Sequence, residues 1–236
     1  MAFDLGYEQE KKILVVMTGV SLLGLLLMLI SVSTNYWLSI DLPDRYHNKS
    51  QTYYVERHSG LWRHCKTLLH DETGVNVTRV VCSNRDFSTD DDDPSAVIDV
   101  ANEIKDFART EAALAIIGIV IMALAIVFAV YSFQESRYMY KRLAGCVYLL
   151  AAACIFVCCE VLINSISTLK SDLLLMHRGF VYMCTYGYSF YLAWLSFGLV
   201  LLTGCAFMLL SKKRKGERAY TESEALANEP MQLGRI

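Results

Sequence analysis

Residues 13–33 read ILVVMTGVSLLGLLLMLISVS and contain no Asp, Glu, Lys or Arg. A helix rises about 1.5 Å per residue, so roughly 20 residues are needed to cross the ~30 Å hydrocarbon core of a bilayer. The stretch therefore predicts a membrane-spanning helix. A cleaved signal peptide is the alternative, because Lys11 and Lys12 precede it, but its apolar core exceeds the roughly 7–15 residues of a signal.

Three further stretches lack Asp, Glu, Lys and Arg, at residues 112–133, 143–159 and 180–210. The middle one is too short to span unless Glu160 and the apolar residues after it complete the helix. With 54% hydrophobic and 19% charged residues, the chain is too apolar for a soluble globular protein. We predict a mainly α-helical membrane protein, a four-helix bundle with spans at residues 13–35, 110–133, 143–163 and 187–210.

Lys and Arg cluster on one side of the predicted spans, and short loops rich in them stay in the cytosol. The clusters are Lys11 and Lys12, then Arg137, Lys141 and Arg142, then Lys212, Lys213, Arg214, Lys215 and Arg218. Both termini are therefore predicted to be cytosolic. The cytosolic segments are residues 1–12, 134–142 and 211–236, and the extracellular ones are residues 36–109 and 164–186. The basic start of the tail attracts anionic lipid headgroups, and its polar remainder is predicted to be disordered.

The large extracellular segment carries two N-glycosylation sequons, NKS at residues 48–50 and NVT at residues 76–78. A sequon marks an exposed loop or strand of a secreted domain, although an unused sequon is the alternative. We predict glycans on Asn48 and Asn76.

Cys65 and Cys82 lie in the same extracellular segment, where an oxidising compartment favours a disulfide between them. Closing a loop of this size contributes roughly 3 kcal/mol in the chain-entropy model. The cysteines within the spans are interpreted as small packing residues. For Cys158 and Cys159, a metal or redox site is disfavoured because adjacent residues point about 100° apart on a helix.

Two parts of this segment, residues 51–55 and 76–81, are rich in Thr, Tyr and Val, which strands prefer. They predict a small antiparallel sheet. Asp93-Pro94 resembles the start of a helix, and apolar residues recur at helical spacing across residues 96–107. An amphipathic helix is therefore expected to lead into the second span.

The segment HSGLWRHC at residues 58–65 follows a Trp and precedes a second Cys. This order resembles the signature of the claudin and peripheral-myelin-protein superfamily. The matching residues are Trp37, Gly60, Leu61, Trp62, Cys65 and Cys82. Gly60 admits backbone angles closed to other residues and Trp62 offers a large apolar body with one donor, so these positions are interpreted as structural.

Ser59 and Arg63, together with YGYSFY at residues 186–191, are similar to voltage-dependent calcium channel gamma subunits and stargazin-like AMPA receptor regulatory proteins. The resemblance covers residues 3–215. It implies a claudin-like fold and an auxiliary subunit of the plasma membrane, with synapses or cell junctions as candidate locations. The implied partner is the pore-forming subunit of a voltage-gated calcium channel or of an AMPA-type ionotropic glutamate receptor. The auxiliary subunit would modulate the gating and surface trafficking of that partner.

Two features depart from stargazin-like members. Additional extracellular cysteines are missing, and the tail ends LGRI, without the Ser or Thr that common PDZ ligands carry two positions before the last residue. The alternative function is a claudin-like cell–cell adhesion or paracellular barrier protein. The two sequons and the 24 residues between Trp37 and Trp62 stand against it.

Candidate partner-facing residues lie in the last two spans. Glu160 is expected to be the single carboxylate of the spans, and an intramembrane carboxylate is a functional hypothesis by default. Interfacial hydrogen bonding is its other interpretation. An aromatic stripe at helical spacing either packs the bundle or faces another protein's helix. The stripe comprises Tyr186, Phe190, Trp194 and Phe197.

No catalytic motif is found: there is no Gly-rich phosphate loop, no helical pair of metal-binding histidines and no nucleophile elbow. The acidic run at residues 90–93 lacks the alternating ligands and Gly turn of an EF-hand loop. The histidines, with Cys65 oxidised, lack tetrahedral zinc spacing; they are His47, His58, His64, His70 and His177. We expect no enzyme activity, cofactor, metal, nucleic acid or small-molecule substrate.

The predicted topology places Trp62 outside the cell. A membrane-impermeant biotin reagent or a protease applied to intact cells should therefore reach residues 36–109 and leave residues 134–142 protected. Mass spectrometry of the modified peptides measures this. Modification around Trp62 only after permeabilisation would overturn the topology.

Overall fold

The computed structural model describes residues 7–47, 52–72, 75–85, 96–134, 138–176 and 183–211, and these residues form four long helices and one antiparallel sheet. The helices are α1 (Tyr7–Ser33), α2 (Ala96–Gln134), α3 (Tyr138–Met176) and α4 (Tyr188–Leu210). Asn48, the acidic run at residues 90–93, Pro94, His177 and the tail beyond residue 211 lie outside the described residues.

Each helix contains a stretch long and apolar enough to cross a membrane, which confirms the prediction of a mainly helical, multi-pass membrane protein. The stretches are Gln9–Ser33, Asp106–Gln134, Met139–Thr168 and Tyr188–Leu210. Helix α2 begins at Ala96, before its spanning stretch, so the amphipathic segment at residues 96–107 continues into the span without a break. Helix α3 continues to Met176, and much of the segment predicted as a second loop is therefore helical.

The predicted small sheet is present and has five strands in the order β4-β3-β2-β1-β5, all antiparallel. The strands are β1 (Leu38–His47), β2 (Thr52–Ser59), β3 (Arg63–Glu72), β4 (Val75–Asn84) and β5 (Met183–Tyr186). Cys65 on β3 lies directly opposite Cys82 on β4, and a disulfide joins them. Strand β5, which directly precedes α4, pairs with β1 and forms one edge of the sheet. The start of α4 therefore lies next to that edge.

Small residues allow the helices to approach closely, as expected in lipid, where the hydrophobic effect does not draw helices together. Ala115, Ala125 and Ala129 of α2 are fully buried, as are Ala144 and Ala151 of α3. Between α3 and α4 the approach is closer still. A Cβ added to Gly204 would lie 3.0 Å from a methyl carbon of Leu149, and one added to Gly145 would lie 3.0 Å from Met208.

Polar side chains join α1 to α4 at intervals of seven residues on both helices. The hydrogen bonds run from Ser31 Oγ to the Ser189 carbonyl (2.6 Å), from Ser196 Oγ to the Gly24 carbonyl (2.8 Å) and from Thr203 Oγ1 to the Met17 carbonyl (3.2 Å). Seven residues correspond to about two helical turns, so the bonds follow one line along the contact. We call this line the α1–α4 seam. It fixes the register of the first helix against the last.

Ser196→Ala removes one seam hydrogen bond and should lower the free energy of unfolding by about 0.6–1.7 kcal/mol, the range for interhelical hydrogen bonds in membranes. Ser33→Ala is the matched control, because the exposed Ser33 hydroxyl donates to the Leu29 carbonyl of its own helix. Denaturant titration in mixed micelles measures both changes. Equal losses of unfolding free energy in the two variants would show that the seam bond contributes no more than a hydrogen bond within one helix.

Candidate functional site

Two tryptophan side chains cap the end of α1. The last carbonyls of a helix lack partners within the helix, and a buried carbonyl without a donor destabilises the fold. The Trp37 indole N–H donates to the Ser31 carbonyl (2.8 Å), and the Trp62 indole N–H donates to the Val32 carbonyl (3.0 Å). Trp37 precedes β1 and Trp62 precedes β3, so the two indoles hold the sheet against the end of α1.

Gly60 lies where the β2–β3 connection passes against the chain leaving α1. A Cβ at this position would fall 2.6 Å from the Cα of Asn35, a distance that side chains do not tolerate. The Gly60 N–H donates to the Arg63 carbonyl (2.8 Å), and Leu61 is fully buried. Glycine is therefore required here because of the close backbone approach.

Helix α4 begins on the same short segment. The Gly187 N–H donates to the Trp37 carbonyl (3.0 Å) and the Ser189 N–H donates to the Tyr36 carbonyl (3.2 Å). A Cβ on Gly187 would overlap the Tyr36 carbonyl oxygen. The end of α1, the start of β1 and the start of α4 thus meet at one point, which we call the sheet end of the bundle.

A buried ion pair connects the sheet to α2. Arg85, just after β4, places Nη1 3.7 Å from Glu111 Oε2, and its Nη2 donates to Ser59 Oγ (3.1 Å). The Glu111 side chain is 3% exposed and that of Arg85 is 22% exposed. The Cys158 thiol of α3 donates to the Glu111 carbonyl (3.4 Å), so α3 reaches the same place. The ion pair therefore connects the end of β4 to α2, and the thiol hydrogen bond connects α3 to the same residue of α2.

The aromatic stripe of α4 forms a continuous set of ring contacts. Ring centroids lie 4.6 Å apart for Tyr186 and Phe190, 6.3 Å for Phe190 and Trp194, and 5.6 Å for Trp194 and Phe197. Phe156 of α3 contacts both Trp194 (5.9 Å) and Phe197 (5.6 Å). Phe190 is buried, whereas Trp194 and Phe197 are half-buried. The set packs α3 on α4 and leaves part of its surface on the outside of the bundle.

Glu160 lies on α3 one helical turn after Phe156 and is half-buried. Within the described residues it makes no hydrogen bond or ion pair. We name the outer surface formed by Phe156, Glu160, Trp194 and Phe197 the α3–α4 groove. It contains a carboxylate within a spanning stretch, one helical turn from Phe156, whose ring contacts the partly covered rings of Trp194 and Phe197.

The remaining predicted residues lie apart from this groove. Asn76 is on β4, opposite Asp71. His64 Nε2 lies 2.6 Å from Ser83 Oγ, and His58 stacks on Tyr36 at 4.6 Å. In the part of the chain that the structure describes, no group of three or more His, Cys, Asp or Glu is arranged to hold a metal ion.

The order Trp, Gly-Leu-Trp, Cys and Cys, with a four-helix bundle and a disulfide-linked sheet, agrees with the comparison of the sequence with family models. The model described as PMP-22/EMP/MP20/Claudin tight junction matches residues 22–209. The chain belongs to this claudin family. The resemblance predicted from the signature is thereby confirmed.

The chain is also similar to gamma-1 subunits of voltage-dependent calcium channels. It is 25% identical to the Bos taurus protein over 201 residues, which cover 82% of this chain and 86% of the relative. It is 27% identical to the Sus scrofa protein over 202 residues, with the same coverage. The matches therefore extend over most of both proteins.

The expectation that Glu160 is the single carboxylate of the spans is wrong. Glu111 lies within the spanning stretch Asp106–Gln134 and is buried. It also falls inside the predicted span at residues 110–133, directly before the apolar run at residues 112–133. The available signal was a carboxylate within one helical turn of an apolar run, which demands a cation nearby once it is buried. Nothing local in the sequence identifies Arg85 as that cation.

Arg85→Met should lower the free energy of unfolding by about 3 kcal/mol, because it leaves the Glu111 carboxylate buried without its cation. The double variant Arg85→Met with Glu111→Leu should lose less than the sum of the two single variants. Denaturant titration of all three measures the coupling.

Arg109→Met is the control for this pair. Its contact with Asp106 (3.3 Å) involves a 71%-exposed carboxylate, and exposed pairs contribute about 0–1 kcal/mol. A loss at Arg109 equal to that at Arg85, or strict additivity in the double variant, would contradict the assignment.

Proposed function

We propose that this protein is an auxiliary subunit of a voltage-gated calcium channel and modulates the channel's gating and surface trafficking. The observation that carries the proposal is the similarity to calcium channel gamma-1 subunits over 82% of this chain and 86% of the relatives. A match of this extent includes the helices as well as the sheet. The role is non-enzymatic and uses no cofactor.

We further propose the plasma membrane as the location, with both termini in the cytosol. The distribution of Lys and Arg supports this orientation, because short basic loops are retained inside. The sheet then lies outside the cell. The Cys65–Cys82 disulfide, which forms in an oxidising compartment, is consistent with that side, and glycans are proposed on Asn48 and Asn76.

The α3–α4 groove is the proposed contact with the pore-forming subunit inside the membrane. A carboxylate in a spanning helix is energetically costly unless it is paired. Among the described residues, no group donates a hydrogen bond to Glu160. A hydrogen-bond donor or cation on a helix of the channel would satisfy it. The half-buried rings of Trp194 and Phe197, with Tyr186 at the sheet end, would supply apolar contact around that polar pair.

Modulation requires that the subunit bind two channel states with different affinity. A tenfold difference corresponds to about 1.4 kcal/mol, which is within the usual range of coupling between sites. A rigid bundle that contacts a moving channel helix provides such a difference, because the contact fits one helix position better than the other.

Adhesion between cells is the competing function within the claudin family. In the described sheet β4 has a neighbouring strand on one side only, and Val80 and Val81 on it are exposed. An open edge of this kind can pair with another chain. The sequon at Asn76 lies on the same strand, and a glycan there opposes close pairing. The sequon on this open edge therefore favours the auxiliary role over adhesion.

The test is copurification from cells that co-express this chain with the pore-forming subunit of a voltage-gated calcium channel. We expect a complex and a shift in inactivation or activation of the current. Glu160→Ala should reduce the copurified amount at least several-fold, because the groove loses its polar contact. Leu26→Ala is the matched control, since Leu26 is 57% exposed on α1 and is not part of the groove.

Three results would replace this proposal with another. Capture of an AMPA-type glutamate receptor instead of the calcium channel assigns the protein to that receptor. Continuous strands at contacts between transfected cells, without channel binding, assign it to adhesion. Equal loss of channel with Glu160→Ala and Leu26→Ala removes the groove from the interface.

A further inference from the structure

Three tyrosine rings lie on the outside of the molecule at the sheet end of the bundle. Tyr36 follows the end of α1, and Tyr188 and Tyr191 are in the first turn of α4. Their exposed fractions are 41%, 51% and 61%, whereas Trp37, directly next to Tyr36, is buried. We call the surface formed by Tyr36, Tyr188 and Tyr191 the tyrosine collar. None of the three residues belongs to the α3–α4 groove.

Ring contacts hold the collar in place. The Tyr36 ring stacks on the Tyr188 ring, with centroids 5.2 Å apart, and also on the His58 ring of β2, at 4.6 Å. The Tyr191 ring packs edge-on against the buried Phe190, at 5.9 Å. The exposed rings are therefore fixed relative to both the sheet and the bundle, although much of their surface remains uncovered.

The collar lies where two spanning stretches end on the side of the sheet. The stretch Tyr188–Leu210 begins with a collar residue, and Tyr36 comes three residues after the stretch Gln9–Ser33. At about 1.5 Å per residue along α4, Tyr191 lies roughly 5 Å further into the span than Tyr188. The three rings therefore lie between the apolar part of the bundle and the sheet.

The surroundings of the collar are uncharged. Residues 29–40 and 183–195 contain no Asp, Glu, Lys or Arg. On the bundle side, the next exposed residues are apolar, with Ile30 on α1 and Leu195 on α4. The collar thus continues directly into the surface that the two spanning stretches expose to lipid. A bilayer that covers Ile30 and Leu195 also reaches the collar.

We propose that the tyrosine collar binds the interfacial layer of the bilayer, where lipid headgroups and glycerol esters meet the acyl chains, in the leaflet next to the sheet. Tyrosine suits this layer, because its ring is apolar and its hydroxyl forms hydrogen bonds, and Tyr and Trp are enriched at membrane–water interfaces. Ester carbonyls and phosphate oxygens of the lipid accept hydrogen bonds from the three phenol groups. This binding does not depend on a channel.

Lipid binding at the collar fixes the depth of the bundle in the bilayer, because interfacial aromatic anchors set the position of spanning helices. Tyr36 extends this constraint to the sheet through its stacking on His58. Trp194 follows Tyr188 by six residues on the same helix and therefore lies about 9 Å deeper along α4. The collar thus also sets the depth of the α3–α4 groove.

The experiment measures the depth of the collar by fluorescence quenching of the full-length chain in phosphatidylcholine nanodiscs. Tyr188→Trp adds one indole to the three of the parent chain, and the difference from the parent isolates its emission. The nitroxide quencher is attached to the lipid headgroup or near the end of the acyl chain. The headgroup position should quench the added indole at least about twofold more strongly. Thermal unfolding checks that the variant is folded.

Two matched controls place an indole at similarly exposed positions on either side of the collar. Leu26 of α1 is 57% exposed and lies about 10 Å from the end of its spanning stretch at Ser33. Leu26→Trp should be quenched more strongly from the end of the acyl chain. Val80 of β4 is 56% exposed on the sheet. Val80→Trp should be quenched by aqueous iodide and by neither lipid nitroxide.

The controls define the results that overturn the inference. If Tyr188→Trp behaves like Val80→Trp, the collar lies in water. If it behaves like Leu26→Trp, or is quenched equally from both lipid positions, the collar lies in the hydrocarbon layer. Either result contradicts binding at the interfacial layer.

A last arm tests a protein as the occupant of the collar. Tyr188→Trp is measured again with the pore-forming subunit of a voltage-gated calcium channel bound in the same nanodisc. Retained headgroup quenching supports the lipid, whereas its loss shows that the channel covers the collar and overturns the inference. The measurement without the channel stands by itself, so failure of channel binding would reject the proposed function and leave the depth of the collar unaffected.

Discussion

The carbonyl groups at the end of α1 are the constraint from which the arrangement of the sheet follows. A helix that stops at Ser33 leaves its final carbonyls without donors. The Trp62 indole N–H donates to the Val32 carbonyl, and the Trp37 indole N–H joins the Thr34 hydroxyl and N–H in donating to the Ser31 carbonyl. An indole is rigid and its N–H has one direction, so the starts of β1 and β3, which follow these side chains directly, are fixed relative to the helix axis. The family signature is therefore a helix cap distributed over two separate parts of the chain.

Charge is organised around the same junction. Glu111 is buried and requires Arg85, which brings the end of β4 down to α2. Arg57 of β2 and Lys66 of β3 lie opposite each other on one face of the sheet, while the disulfide and Glu56 occupy the opposite face. The two faces of the sheet are thus chemically distinct.

The sequence predicts those parts of the fold that depend on local composition. Four apolar runs identify the four helices, and the signature identifies the superfamily. Strand β3 was harder to predict, because Arg63, His64 and Lys66 give it no apolar alternation; it is defined by pairing with β2 and β4. Strand β5 and the Arg85–Glu111 pair depend on contacts between distant residues, which no local pattern encodes. In the candidate site, the sequence indicates the aromatic stripe and Glu160, but no local pattern indicates the contact of Trp194 and Phe197 with Phe156.

The α1–α4 seam has a consequence for biosynthesis. Helix α1 is translated first and α4 last, so Ser31, Gly24 and Met17 meet their partners only after the ribosome has finished the fourth helix. Until then, the α1 groups of the seam are exposed to lipid or to the insertion machinery. A nascent chain that stalls before α4 therefore lacks the bonds that align its oldest helix, and it also lacks β5 at the edge of the sheet. Closure of the bundle and of this edge of the sheet therefore waits for the synthesis of α4.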